Sequence, residues 1–224
     1  MPDPVRIALI HATRLAIDPI EAAAKELWPE AETVTILEEG LSIDRARTRE
    51  LTSDLRDRIV GLSKYAEGLG SDGVLFTCSA FGQAIEDAAD ASPVPVMKPN
   101  EAMFAEAFDY GDRSVMIYTF KPSAAGMEDE FREVSKGLRP SATIRSVFCE
   151  GALAAKREGD EETHDRLIAE TAATIEDADV ILLAQFSMAG AAAAVRARTD
   201  TPVLTSPESA IREMQRRIDK KTRG

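Results

Sequence analysis

Val74-Leu75-Phe76-Thr77-Cys78-Ser79-Ala80-Phe81-Gly82 is the stretch whose reading decides the fold. Apolar and β-favouring residues run straight into a thiol and two small or hydroxyl residues, after which Phe81-Gly82 opens a helical pattern. Such a run reads as a buried parallel strand with Cys78 at its C-terminal tip. In open α/β sheets, ligands bind in the crevice beyond the strand ends. A helix starting there adds unpaired backbone N–H groups and the positive end of its dipole. Both would favour a thiolate on Cys78 and a carboxylate bound beside it. The competing reading is a core cysteine, because free cysteine is among the most buried residue types.

The 224 residues suit one large domain or two smaller ones. Hydrophobic residues at 44% and charged residues at 29% are ordinary for a globular chain and exclude disordered and collagen-like classes. A formal net charge of −12 would repel nucleic-acid phosphates, and no basic patch offsets it, so no nucleic-acid partner is expected. The longest apolar runs, such as Val180 to Ala184, fall far short of the roughly 20 residues of a membrane span, so no membrane partner is expected either. Met1-Pro2-Asp3-Pro4-Val5 has no basic region leading into a hydrophobic block, which makes a cytoplasmic location the expectation. A reducing compartment would leave Cys78 and Cys149 as thiols.

Outward from Cys78, strands and helices alternate, which argues a parallel sheet wrapped by helices. Arg6 to His11 reads as the first strand. A helix from about Asp18 to Leu27 follows, with Asp18 as N-cap and Pro19 at the first helical position. Thr33 to Leu37 is a second strand, and Asp44 to Gly68 shows helical periodicity. The Cys78 strand is third, its helix runs to about Asp90, and Pro93 to Met97 forms a short fourth strand. The order then restarts. Ser114 to Tyr118 is a strand, Met127 to Gly137 a helix, Thr143 to Phe148 a strand and Asp160 to Asp177 a long helix. After them come the strand Val180 to Ala184, an Ala-rich helix from Met188 to Arg198, and the short strand Pro202 to Leu204. A last helix runs from Pro207 to about Ile218, with a frayed basic tail, Lys220-Lys221-Thr222-Arg223.

The two passes align at a constant spacing. Asp72 and Asp179, Pro95 and Pro202, and Glu101 and Glu208 are each 107 residues apart, and the same shift carries Arg6 to His11 onto Arg113 to Tyr118. The fold class that follows is α/β, with two pseudo-symmetric parallel-sheet halves from an internal duplication. The first half comprises residues 1–98 with 206–224, and the second comprises 99–205. Under the shift, Cys78 corresponds to Gln185 and His11 to Tyr118. Halves packed about a pseudo-twofold axis with strand ends facing would bring Cys78 and Gln185 to one cleft from opposite sides.

Other polar residues carry two readings each. His11 could orient a substrate or polarise a thiol, or simply hydrogen-bond to backbone. Tyr118 and Thr119 could line the cleft or lie behind it. Asn100, after Pro99 and before a helical pattern, suits an N-cap or a ligand contact. Cys149 reads as a core thiol, His164 as solvated in a polar helix, Glu158 to Glu162 as a solvated helix start, and the glycines near 190 as helix packing. There is no His-x-x-x-His and no Cys-x-x-Cys, so no metal site is expected. A Gly-x-Gly-x-x-Gly fingerprint and a Walker loop are absent as well.

Phe76 to Gly82, Leu183 to Gly190 and Thr201-Pro202-Val203-Leu204-Thr205-Ser206-Pro207 together resemble the aspartate/glutamate/hydantoin racemase superfamily, over essentially the whole chain. The resemblance implies two α/β halves that hold a substrate carboxylate between them and two cysteines acting as base and acid on opposite faces of an acidic carbon. It implies no metal or organic cofactor. Cys78 matches the first of those positions, whereas Gln185 stands where such racemases carry the second cysteine. An amide cannot carry a proton as a thiol does. The function implied is a racemase or isomerase acting on a small carboxylate through Cys78. Alternatives are a single-thiol decarboxylase or cis-trans isomerase of the same superfamily, and a degenerate carboxylate-binding protein. Ser79, Gln185 and Ser187 are the expected donors for carboxylate and developing charge, with His11, Thr77, Asn100, Tyr118 and Thr119 as substrate contacts. A homodimer or higher homo-oligomer is the expected assembly.

Overall fold

The computed structural model describes residues 4–48 and 50–222. Two compact units form, one from Met1–Pro99 with Ala210–Gly224 and the other from Asn100–Ser209. The first holds β1 (Arg6–His11), β2 (Glu32–Leu37), β3 (Gly73–Phe76) and β4 (Val96–Met97) in the order β2-β1-β3-β4. In the second, β5 (Arg113–Tyr118), β6 (Thr143–Phe148), β7 (Val180–Leu183) and β8 (Val203–Thr205) take the order β6-β5-β7-β8. Every pairing is parallel. The duplicated α/β architecture is therefore the one the sequence repeat predicts.

The repeat persists down to single hydrogen bonds. Asp72 accepts from the Arg6 N–H at 2.8 Å through its carboxylate and returns its own N–H to the Arg6 carbonyl. Asp179, 107 residues on, does the same with Arg113 at 2.9 Å and 2.8 Å. At the other end of the strands, Thr77 N–H bonds the Ile10 carbonyl and Ala184 N–H bonds that of Ile117. The sheet register is thus pinned at both ends in both units.

Helices cover both faces of each sheet, so the strands are apolar without alternation, as buried parallel strands are. In the first unit, Ala8, Ile10, Val74 and Phe76 turn one way. They pack with Leu41 of α2 (Gly40–Arg47), Leu55 and Ile59 of α3 (Ser53–Gly68) and Ile85 of α4 (Gly82–Ala91). On the same unit run α1 (Ile17–Leu27) and, from Ala210 onward, the last helix. The last helix packs so close that a Cβ on Gly73 would lie 2.5 Å from Met214 Sδ. In the second unit, Val180 and Leu182 meet Phe104 of α5 (Glu101–Ala107) and Phe131 of α6 (Ala124–Leu138). Ile181 and Leu183 face the opposite side, toward Ile168 of α8 (Glu161–Ala173) and Val195 of α9 (Ala192–Arg196).

Several boundaries differ from the sequence reading. The helix expected over Asp44 to Gly68 is two helices, because Thr48 is extended and the Thr52 side chain caps α3 by accepting from Leu55 N–H at 3.3 Å. α1 begins at Ile17, after a 3-10 turn over Arg14–Ala16 whose cap is Thr13, so Asp18 is not its N-cap. A similar turn, Lys121–Ser123, leads into α6 at Ala124, earlier than Met127. The Ala-rich helix is a 3-10 segment, Phe186–Ala191, followed by the short α9. Proline lacks an N–H donor, and the strand expected from Pro93 shrinks to Val96–Met97.

An unforeseen helix, α7 (Ala152–Glu158), lies between Gly151 and Gly159, both left-handed at φ +80° and +79°. α8 then starts with Asp160 accepting from Thr163 N–H at 3.0 Å and stops at Ala173, short of Asp177. The last helix, α10 (Ser206–Thr222), carries Lys220 and Lys221 inside it rather than in a frayed tail. Arg223 and Met1-Pro2-Asp3 lie outside the described residues. Gly190 does not mediate packing, since an added Cβ would meet nothing within 4 Å.

Asp179 takes backbone N–H bonds from Asp112 and Arg113 and a two-pronged contact from the Arg113 guanidinium, at 2.6 Å and 3.2 Å. The Arg113 side-chain bonds, followed by its backbone N–H, hold the carboxyl at a pKa of about 2, below the ordinary 3.8. A folded pKa below the unfolded one means that the stabilisation is complete above pH 3.8 and fades as pH falls through about 2. Asp179→Asn is therefore expected to lower the melting temperature at neutral pH, with the gap to wild type closing between those two values when thermal unfolding is followed against pH.

Candidate active site

At the strand tips of the first unit, β3 hands over to Thr77, Cys78 and a 3-10 turn, Ser79–Phe81, before α4 begins. Cys78 stands at the cap of that turn with extended backbone and is half-buried. Burial pushes its thiol pKa up from the ordinary value, against the Ala80 backbone N–H and the positive charge of Arg45, which both pull it down. The features expected to favour a thiolate are therefore present but outweighed. The direction of the shift favours the protonated thiol over the thiolate. Arg45 is itself fixed by bonds to the Ala80 carbonyl at 3.1 Å and the Thr48 carbonyl at 2.9 Å, so it braces the turn that carries the thiol.

His11 ends β1 and is fully buried. Its Nδ1 lies 2.9 Å from Thr77 Oγ1, which donates its own proton to the Ile10 carbonyl at 3.3 Å. The Thr77 oxygen then accepts from Nδ1–H, which assigns the tautomer and leaves a lone pair on Nε2, an atom with no hydrogen-bond partner among the described residues. Burial lowers the His11 pKa to about 4, with Glu21 pulling the other way. The ring is neutral at physiological pH and is anchored to a hydroxyl rather than to backbone. Lys98, at the tip of β4, was not foreseen. Its chain passes Gly82 and its Nζ meets Glu86 at 2.6 Å. Its place just after a strand gave the same signal that singled out Cys78.

The strand tips of the second unit hold Gln185, at the position equivalent to Cys78. Its Oε1 accepts from Thr119 N–H and Thr119 Oγ1–H, both at 2.8 Å, and its Nε2 donates to Ser123 Oγ at 3.1 Å. A backbone N–H can only donate, so the amide orientation is fixed. Three such bonds, each worth about 0.5–1.5 kcal/mol, together offset the roughly 2 kcal/mol of rotamer freedom a long side chain gives up at all but the low end of that range. Gln185 is locked, with one Nε2 hydrogen left over.

The remaining expected residues divide. Asn100 occupies the N-cap position of α5, but its side chain does not cap. It accepts from Ser206 Oγ at 2.7 Å, and its fully buried Nδ2 has no partner among the described residues. Tyr118 is half-buried with its ring 5.4 Å from that of Phe148. Ser79 and Ser187 lie in 3-10 turns rather than at α-helix starts, and both are half-buried. Cys149 is a core thiol that accepts from Thr171 Oγ1 at 3.2 Å. His164 is buried rather than solvated, because α8 lays it inward with Nδ1 2.7 Å from Asp165. Glu161, His164 and Asp165 bring ligand-type atoms within 4.8 Å, a grouping whose spacing is neither His-x-x-x-His nor Cys-x-x-Cys. Glu161 is ion-paired with Lys156, so the cluster already carries its own cation. No helix among the described residues is long and apolar enough to cross a membrane.

Known structures share this fold. Glutamate racemase from Bacillus anthracis superposes with a TM-score of 0.79 at 11% identity, covering 98% of this chain and 83% of its own. Aspartate racemase from Picrophilus torridus gives 0.70 at 14%, covering 96% and 94%. A variant of arylmalonate decarboxylase gives 0.68 at 18%, covering 96% and 93%. The curated proteins contain no match. The model of the Asp/Glu/Hydantoin racemase family matches residues 10–214, which span both units and include Cys78 and Gln185. The chain belongs to the Asp/Glu/hydantoin racemase family.

Proposed function

We propose that the chain is a cofactor-independent enzyme acting at the acidic carbon of a small carboxylate, with the thiol of Cys78 as proton donor to one face of that carbon. The observation that carries this reading is the inequality of two equivalent strand tips, an ionisable thiol at 78 and an immobilised carboxamide at 185. Family membership supports the chemical class. Two-base racemisation needs a second proton carrier, and an amide is not one. Isomerisation through a thiol adduct needs a standing thiolate, which the burial of Cys78 disfavours.

Decarboxylation needs neither, and arylmalonate decarboxylase has the same fold. In that step the bond from the α-carbon to the departing carboxylate breaks and CO2 leaves. The electron pair remains as an enediolate delocalised over the retained carboxylate, and the Cys78 Sγ–H proton goes to the carbon. The thiolate so formed is stabilised by Ala80 N–H and Arg45 and regains a proton from water. Ser79, next in the chain, is the candidate donor to the retained carboxylate. One such donor is commonly worth about 10²–10³-fold in rate.

A panel of substituted malonates incubated in heavy water and followed by NMR is expected to show CO2 loss with one deuterium at the α-carbon. Cys78→Ala should lower that rate about 10²–10⁴-fold, the usual contribution of a proton-transferring side chain. A Cys78→Ala variant that keeps full activity sinks the reading. The resting protonation state has its own check. In a Cys149→Ala background, iodoacetamide at neutral pH should label Cys78 more slowly than it labels a free cysteine, the rate climbing only above the ordinary thiol range. Faster labelling would show a poised thiolate and contradict the donor role.

A further inference from the structure

Gln185 is held by a frame that reads like a receptor for an amide. Thr119 turns two donors, its backbone N–H and its Oγ1–H, onto one oxygen at 2.8 Å each. Ser123 Oγ spends its own proton on the Phe120 carbonyl at 2.9 Å and so faces Gln185 as an acceptor, receiving Nε2–H at 3.1 Å. Thr119 and Ser123 are both buried, so the frame is built into the unit and is not a surface contact. Two donors on one side and an acceptor on the other match the oxygen and nitrogen of a carboxamide. A carboxylate fits less well, because its second oxygen would face the Ser123 lone pairs unless that hydroxyl gave up the Phe120 carbonyl.

We infer that Thr119 and Ser123 form an amide-recognition site that this chain fills with its own residue 185, so that Gln185 is an internal ligand closing the second unit's strand tips to external carboxylates. The frame belongs to one unit and the inference does not depend on the reaction proposed for Cys78. It has a consequence for specificity. The donors of Thr119 are committed to Gln185, so they are not free to bind the anionic group of a substrate.

Truncation of Gln185 to alanine removes Cγ, Cδ, Oε1 and Nε2, the outline of acetamide, which makes acetamide and acetate matched probes. In 15N NMR titrations, acetamide is expected to shift the Thr119 amide of Gln185→Ala and to bind about tenfold more tightly than acetate, the difference one mismatched hydrogen bond makes. Neither probe should move that amide in the wild type. A folded Gln185→Ala that ignores acetamide, or that prefers acetate, overturns the inference, as does a wild-type Thr119 amide that responds to either probe. The wild type also gives a measurement that does not require the variant to fold. A scalar coupling across the hydrogen bond from Thr119 N to Gln185 Cδ should be detectable, and loss of Gln185 Nε2 exchange protection in Ser123→Ala should accompany it. Absence of the coupling contradicts the internal ligand.

Discussion

The third strand of each sheet is pinned to the first at both ends, and the chemistry of the strand tips depends on that pinning. At the start, Asp72 and Asp179 grip the N–H groups of Arg6 and Arg113. At the end, the amides of Thr77 and Ala184 close on the carbonyls of Ile10 and Ile117. A slip of one residue in a parallel pair would turn every side chain to the opposite face. With the register held, the residue after the last rung stands beside the first strand's tip in either unit. That residue is Cys78 in one unit and Gln185 in the other.

Duplication then gives one frame and two outcomes. In the first unit the tip carries a thiol whose pKa burial pushes up, against the amide of Ala80 and the charge of Arg45. His11, equivalent to Tyr118, is kept neutral by burial and is bonded to Thr77. In the second unit the tip carries a carboxamide tied by three hydrogen bonds to the segment that follows β5. One tip carries an ionisable group and the other does not. The asymmetry comes from residues on an otherwise repeated scaffold, as when one fold hosts several chemistries.

The fold was legible because its signals are local or periodic. Asp, Pro and Glu recur at a spacing of 107, and the central strands are unbroken apolar runs. The position of Cys78 followed from the same run. Segments where caps override periodicity were misread. Thr52 starts a new helix inside a continuous charged pattern, and two left-handed glycines enclose α7 where no apolar stripe announces it. The state of Cys78 was not legible, because desolvation depends on what packs around the sulfur. Nor was the immobility of Gln185, whose partners lie 66 and 62 residues away in sequence. His164 was misjudged for a related reason, since the charged residues around it gave no hint of the face it takes on α8.

Proton delivery to a single face by a single thiol is the central step of the proposed chemistry. The most direct measurement is the configuration of the product formed from a prochiral disubstituted malonate, read by chiral chromatography under conditions where the product does not racemise in buffer. A single enantiomer is the result the account predicts. A racemic product would mean that both faces receive protons, and it would contradict delivery by the Cys78 thiol alone.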